Sequence, residues 1–120
     1  MTGKRGKLCD IYTEQREEIC KKIIDILQLD ENHSFLLLEL DDNIEKQNAL
    51  LSMKEDIQKY FACSQLGCFK PGYESKRPYL CIVRGILRKQ GYTFISSDVN
   101  IKVNDVFKRS QRYIIFRKIN

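Results

Sequence analysis

The chain has a single histidine, His33, and neither its neighbour Ser34 nor any cysteine forms a recognisable nucleophile motif with it. Nucleophilic catalysis therefore has no support here. No glycine-rich loop runs into Lys-Ser or Lys-Thr, which excludes a phosphate cradle of the P-loop type. A tight Cys-x-x-Cys pair is also missing: the five cysteines, Cys9, Cys20, Cys63, Cys68 and Cys81, are odd in number and irregularly spaced. That pattern suits free thiols in a reducing compartment and speaks against a disulfide framework or structural zinc. Long apolar runs are absent too. Phe35 to Leu38 ends at Glu39, and the basic amino end leads into Cys9-Asp10-Ile11-Tyr12 and a charged stretch instead of an apolar signal core. The expectation is an intracellular protein with no membrane segment. The acidic residues Glu39, Asp41, Asp42 and Glu45 flank a helix start, where capping accounts for them without a metal. No residue is assigned to catalysis, to a cofactor or to a metal, and the chain reads as a non-enzyme.

What is present is charge, unevenly distributed. From Lys76 onward eleven Lys and Arg face only Asp98 and Asp105, whereas the first 75 residues carry ten basic and fourteen acidic side chains. The overall net charge of +5 thus conceals a polarised chain whose second half is suited to a polyanion. Its 120 residues with 42% hydrophobic content suffice for one modest core. The organisation read from them is a flexible basic segment over 1–12 and a single domain over 13–120.

Ile19, Ile23, Ile26 and Leu27 recur at helical spacing, and Thr13 offers a cap, so a first helix is expected from Thr13 to Gln28. Phe35 to Leu40 is too short to separate a strand from a buried helical turn. A second helix is expected from Ile44 to Ala62, with Leu50, Met53, Ile57, Tyr60 and Phe61 turned inward. Gly67 and Pro71-Gly72 mark a loop between Ser64 and Arg77. Pro78 suits the first turn of a third helix and Gly91 its stop, with Tyr79, Ile82, Val83 and Ile86 on one side. After Gly91 the period changes to two through Val103, and Arg112 to Arg117 reads as the return strand, leaving Asn104 to Gln111 as the connection. The fold class expected is α+β: three helices followed by a C-terminal β-hairpin, winged-helix-like.

In that arrangement the third helix would face the major groove. Arg84, Arg88 and Lys89 would meet bases or phosphates, Lys76 and Arg77 would meet the backbone near the helix start, and Lys108, Arg109 and Arg112 would extend the contact from the hairpin tip. Six aromatics, Tyr79, Tyr92, Phe94, Phe107, Tyr113 and Phe116, interleave with these cations, and core burial is expected for most. The function expected is non-enzymatic binding of double-stranded DNA, with a homodimer compatible with it. The alternative is a protein-interaction or assembly module whose basic face meets no nucleic acid.

Three segments also carry a likeness: Lys76-Arg77-Pro78-Tyr79-Leu80-Cys81-Ile82-Val83-Arg84, Gly91-Tyr92-Thr93-Phe94-Ile95-Ser96-Ser97-Asp98, and Arg112-Tyr113-Ile114-Ile115-Phe116. Together with Ile57 to Phe61 they resemble a small domain of uncharacterised proteins from large invertebrate DNA viruses of the iridovirus and entomopoxvirus type. The likeness spans roughly residues 13 to 118. It implies a viral DNA-binding or regulatory factor, often joined to other DNA-binding or nuclease modules, acting in the host cytoplasm or nucleus.

Overall fold

A computed structural model describes residues 2–31, 33–61 and 76–117, and for residues 2–11 the backbone alone. The architecture is α+β, with helices packed on a three-stranded antiparallel sheet. Helix α1 (Thr2–Leu27) is followed by strand β1 (Ser34–Leu36) and the short helix α2 (Leu37–Asp41). Helices α3 (Ile44–Leu51) and α4 (Lys54–Tyr60) come next, and α5 (Pro78–Lys89) then leads into β2 (Tyr92–Val103) and β3 (Val106–Arg117).

Local chemistry explains where these elements begin and end. α1 reaches back to Thr2, so Thr13 lies inside the helix and does not cap it. Past α1, the Asp30 carboxylate accepts from the Ser34 amide at 3.2 Å and its hydroxyl at 3.1 Å, which turns the chain into β1. The ambiguous run from Phe35 becomes both candidates: Phe35 pairs in β1, and Leu37 starts α2. Asn43 caps α3, its side-chain oxygen accepting from the Lys46 amide at 3.0 Å.

The single helix expected over 44–62 is divided. The Ser52 hydroxyl donates to the Ala49 carbonyl at 2.7 Å, and the Met53 amide donates to Leu50 at 3.2 Å in place of the carbonyl one residue earlier. A side chain competing for backbone carbonyls in this way tightens the turn. The helix restarts when Ile57 bonds back to Met53 at 2.9 Å. With α2 before it, this break replaces the expected set of three helices. The expected loop over 64–77 lies outside the described residues up to position 75.

The core is built where helices and sheet meet. Ile23, Leu50, Ile57, Ile82, Ile86 and Leu87 have no exposed surface, and Tyr113 and Ile115 of β3 close the layer from below. Five residues of α5 are buried, so it is the central helix of the domain. Strand order is β1-β3-β2. Phe35 stacks on Tyr113 at 5.2 Å between ring centres, and the Ile115 amide donates to the His33 carbonyl at 2.7 Å.

β2 and β3 pair along their whole length, from Tyr92 opposite Arg117 to Val103 opposite Val106. The turn is only Asn104-Asp105, both at positive φ (51° and 63°), the geometry of the tight two-residue hairpin whose twist matches the strands. The expected connection over Asn104 to Gln111 is therefore mostly strand. Lys108, Arg109 and Arg112 lie along β3 and not in a terminal loop.

Candidate nucleic-acid interface

From Asp98 to Gln111 the hairpin leaves the body, and of these residues only Ser110 is buried. Ser110 marks the point of departure: its hydroxyl accepts from the Leu38 amide at 3.1 Å, tying β3 to the start of α2. Beyond it the ribbon has two unlike faces, because side chains alternate along each strand. One continues the core-facing side of Tyr113 and carries Asp98, Asn100, Lys102, Phe107, Arg109 and Gln111, all exposed. The other carries Val99, Ile101, Val103 and Val106, with Lys108 among them.

The basic residues expected to form one surface are dispersed. Lys76 is exposed just before α5. Arg77 is held: its Nε lies 3.0 Å from both carboxylate oxygens of Asp41 at the end of α2. The same carboxylate accepts from the Tyr79 hydroxyl. The hydrogen bond to Asp41 raises the Arg77 pKa further, and burial, followed by the Asp41 contact, pushes Tyr79 up to about 12.

Arg84 is half-buried on α5, and its Nε has no hydrogen-bond partner among the described residues. Arg88 is exposed at the carboxyl end of the helix, 5.9 Å from the centre of the Phe94 ring, with Lys89 exposed beside it. Arg109 pairs with Asp98 at 2.9 Å across the ribbon. Lys108 and Arg112 are exposed, and Arg112 stands opposite Ser97 on one side and Leu36 on the other.

Two of the expected residues are brought together at the base of the arm. Arg77 and Arg109 line one open cleft, but Asp41 and Asp98 line it with them. This cleft is electrically balanced and offers a polyanion little. At the hairpin root a second hollow is lined by Glu17, Cys20, Lys21, Tyr92 and Arg117. Burial pushes the Cys20 thiol up to about 12 despite the opposing pull of Arg117, so it stays a protonated packing group. Among the described residues no group of three or more His, Cys, Asp or Glu could hold a metal ion.

Three residues were missed as site candidates. Arg117 lies 6.0 Å from the centre of the Tyr92 ring and Lys102 lies 5.8 Å from that of Phe107. Of the six aromatics expected to be mostly buried, Tyr79 and Tyr113 are buried and Tyr92 and Phe94 pack partly buried against the core, whereas Phe116 is exposed and Phe107 is 73% exposed. The signal for Phe107 was its place three residues from Asn104, on a strand whose ends the sequence pattern did not reveal. Comparison with family models, curated proteins and solved structures finds no match for this chain.

Proposed function

We propose that the chain binds double-stranded DNA without catalysing a reaction, as a winged-helix-like domain whose wing is the long β2–β3 arm. The observation that carries this reading is the arm: a two-stranded ribbon with exposed Lys102 and Lys108, standing clear of the core on a helix-fed sheet, with Arg112 exposed at its root. The strand order β1-β3-β2 and the direct passage from α5 into the hairpin are in keeping with a winged helix. In this reading α5 contributes mainly its ends, Lys76 before it and Arg88 and Lys89 at its close. Its middle is packed into the core. The arm accordingly carries more of the contact than the helix. The viral setting implied by the sequence likeness belongs to the same proposal.

A labelled random duplex and its matching single strand, each titrated by fluorescence anisotropy at low and near-physiological salt, test it. Salt-sensitive duplex binding stronger than single-strand binding is expected, since cations on phosphates release counterions. Binding to neither, even at low salt, would refute it.

A second reading rests on a different observation. Ile95 and Phe116, 51% and 42% exposed, lie on the sheet face away from the helices, and β2 is an edge strand of twelve residues. An open edge beside apolar side chains favours assembly, including a homodimer through β2. Light scattering showing only monomer at high micromolar concentration would refute a stable dimer.

A further inference from the structure

The two faces of the arm divide the chemistry between them. Asn100, Lys102, Arg109 and Gln111 place amide, ammonium and guanidinium donors on one face, and Phe107 lies among them near the tip. The opposite face at the same level is mainly aliphatic, Val99, Ile101, Val103 and Val106, interrupted by Lys108 opposite Ile101 and by Ser110, whose hydroxyl is taken by the Leu38 amide. An aromatic ring 73% open to solvent is unusual beside so many donors, and no core residue requires it there. Its one neighbour of note is the Lys102 ammonium at 5.8 Å, which keeps a cation next to whatever the ring enters. The tight Asn104-Asp105 turn adds no bulk that would hold the ring away from a surface.

Amide and cationic donors read the acceptor-lined floor of the minor groove, and apolar wedges of the size of phenylalanine unstack base steps from that side. We infer that Phe107 is such a wedge: the arm lies along the minor groove of a DNA duplex with its donor face inward, Phe107 enters between two base pairs, and the duplex bends. Lys102 and Arg109 flank the entry point and neutralise nearby phosphates. Arg109 exchanges its exposed pairing with Asp98 for phosphate when the duplex arrives, since an ion pair at the surface is weakly held. Asp105, whose side chain is almost fully exposed at the apex, points beyond the groove and sits within 3.7 Å of Lys102. Flexible pyrimidine–purine steps would be entered most easily, so the arm would favour them without reading their sequence directly. This inference rests on the duplex-binding reading above and specifies how that site works.

The test separates the two. Binding is followed by anisotropy, bending by energy transfer between dyes at the ends of a short duplex, and unstacking by 2-aminopurine placed at a central TA step. With the unaltered chain all three signals should rise together. Phe107→Ala should abolish the bend and the 2-aminopurine signal and weaken binding about tenfold, in the range seen for losing one aromatic stack. Phe107→Leu should retain most of the bend, because an aliphatic wedge still fits. Equal thermal midpoints for the three proteins exclude a folding defect. Duplex binding with no bend, or a bend unchanged in Phe107→Ala, overturns the wedge and leaves duplex binding standing. Phe107-dependent binding to single strands alone overturns the wedge in favour of a stacking platform. No binding to either form overturns both readings.

Discussion

Arg77, expected to contact DNA, is ion-paired with Asp41 at the end of α2, and a structural role, which the pairing predicts, separates from DNA contact in one set of variants. Tyr79 is buried and donates its hydroxyl to the Asp41 carboxylate, which is 22% exposed. A hydrogen bond to a charged acceptor contributes about 1.5 to 3 kcal/mol, and water reaching Asp41 puts Tyr79→Phe at the lower end, about 1.5 kcal/mol. The Arg77 side chain is 46% exposed, so Arg77→Ala removes an ion pair of only about 0.5 kcal/mol. For a chain of this length 1 kcal/mol moves the thermal midpoint by about 4 °C. Tyr79→Phe should then lower it by about 6 °C and Arg77→Ala by about 2 °C. Because both residues share one carboxylate, the double variant should depart from additivity by about 0.5 kcal/mol. Duplex titrations on the same proteins supply the second axis. Arg77→Ala should leave affinity within about twofold and the salt slope unchanged, whereas Lys108→Ala should reduce the slope by about 1. An Arg77→Ala protein with an unchanged midpoint and a slope reduced as in Lys108→Ala would refute the structural assignment.

Other perturbations probe the body of the domain. Ile86 is fully buried at the centre of α5, so Ile86→Ala should cost about 3 kcal/mol, read as a lower urea midpoint. Ser110→Ala leaves the Leu38 amide without its acceptor and should cost about 1 to 2 kcal/mol, with faster hydrogen exchange at that amide. Tyr79 and Cys20 are both held protonated up to about 12, from ordinary values of 10.0 and 9.0. Their contribution to stability is complete below the unfolded values and is lost as pH rises through the folded ones. The urea midpoint should accordingly fall between about pH 9 and 12, and Tyr79→Phe should show a smaller fall.

The parts of the fold that were legible had punctuation at both ends. Pro78 and Gly91 bracket α5, and its buried residues keep helical spacing throughout, so its bounds followed from residue types alone. The alternation after Gly91 marked β2 in the same way. The break between α3 and α4 was invisible because Met53 keeps the apolar spacing across it. Only the Ser52 hydroxyl, bonding backward, ends the helix there. The hairpin turn was missed for a related reason. Asn104 and Asp105 adopt left-handed conformations without a glycine to announce them, and the charges from Lys108 to Arg112 resembled a loop. That error moved three basic residues from an imagined tip onto the side of a ribbon. It also hid the exposure of Phe107, since its position relative to the turn was unknown.

The charge asymmetry along the chain is partly undone by folding. Asp41 belongs to the acidic half, yet it crosses to hold Arg77, and Asp98 holds Arg109 within the basic half itself. A cation already facing a carboxylate releases fewer counterions on meeting phosphate, so a count of basic residues overstates the salt dependence of binding. Arg84 is withdrawn further by its half-buried place on α5. Of the residues expected to meet DNA, the exposed cations outside these pairs, Lys76, Arg88, Lys89, Lys108 and Arg112, are spread from the ends of α5 to the outer stretch of the arm. The pair at the end of α5 gains little from Lys108 far along the arm, because exposed charges more than about 8 Å apart are screened from one another at physiological salt. Electrostatics alone would then supply weak, sequence-blind attachment. On the duplex-binding proposal, strong binding requires a contribution that salt does not screen, and the exposed ring of Phe107 at the end of the arm is the group proposed to supply it.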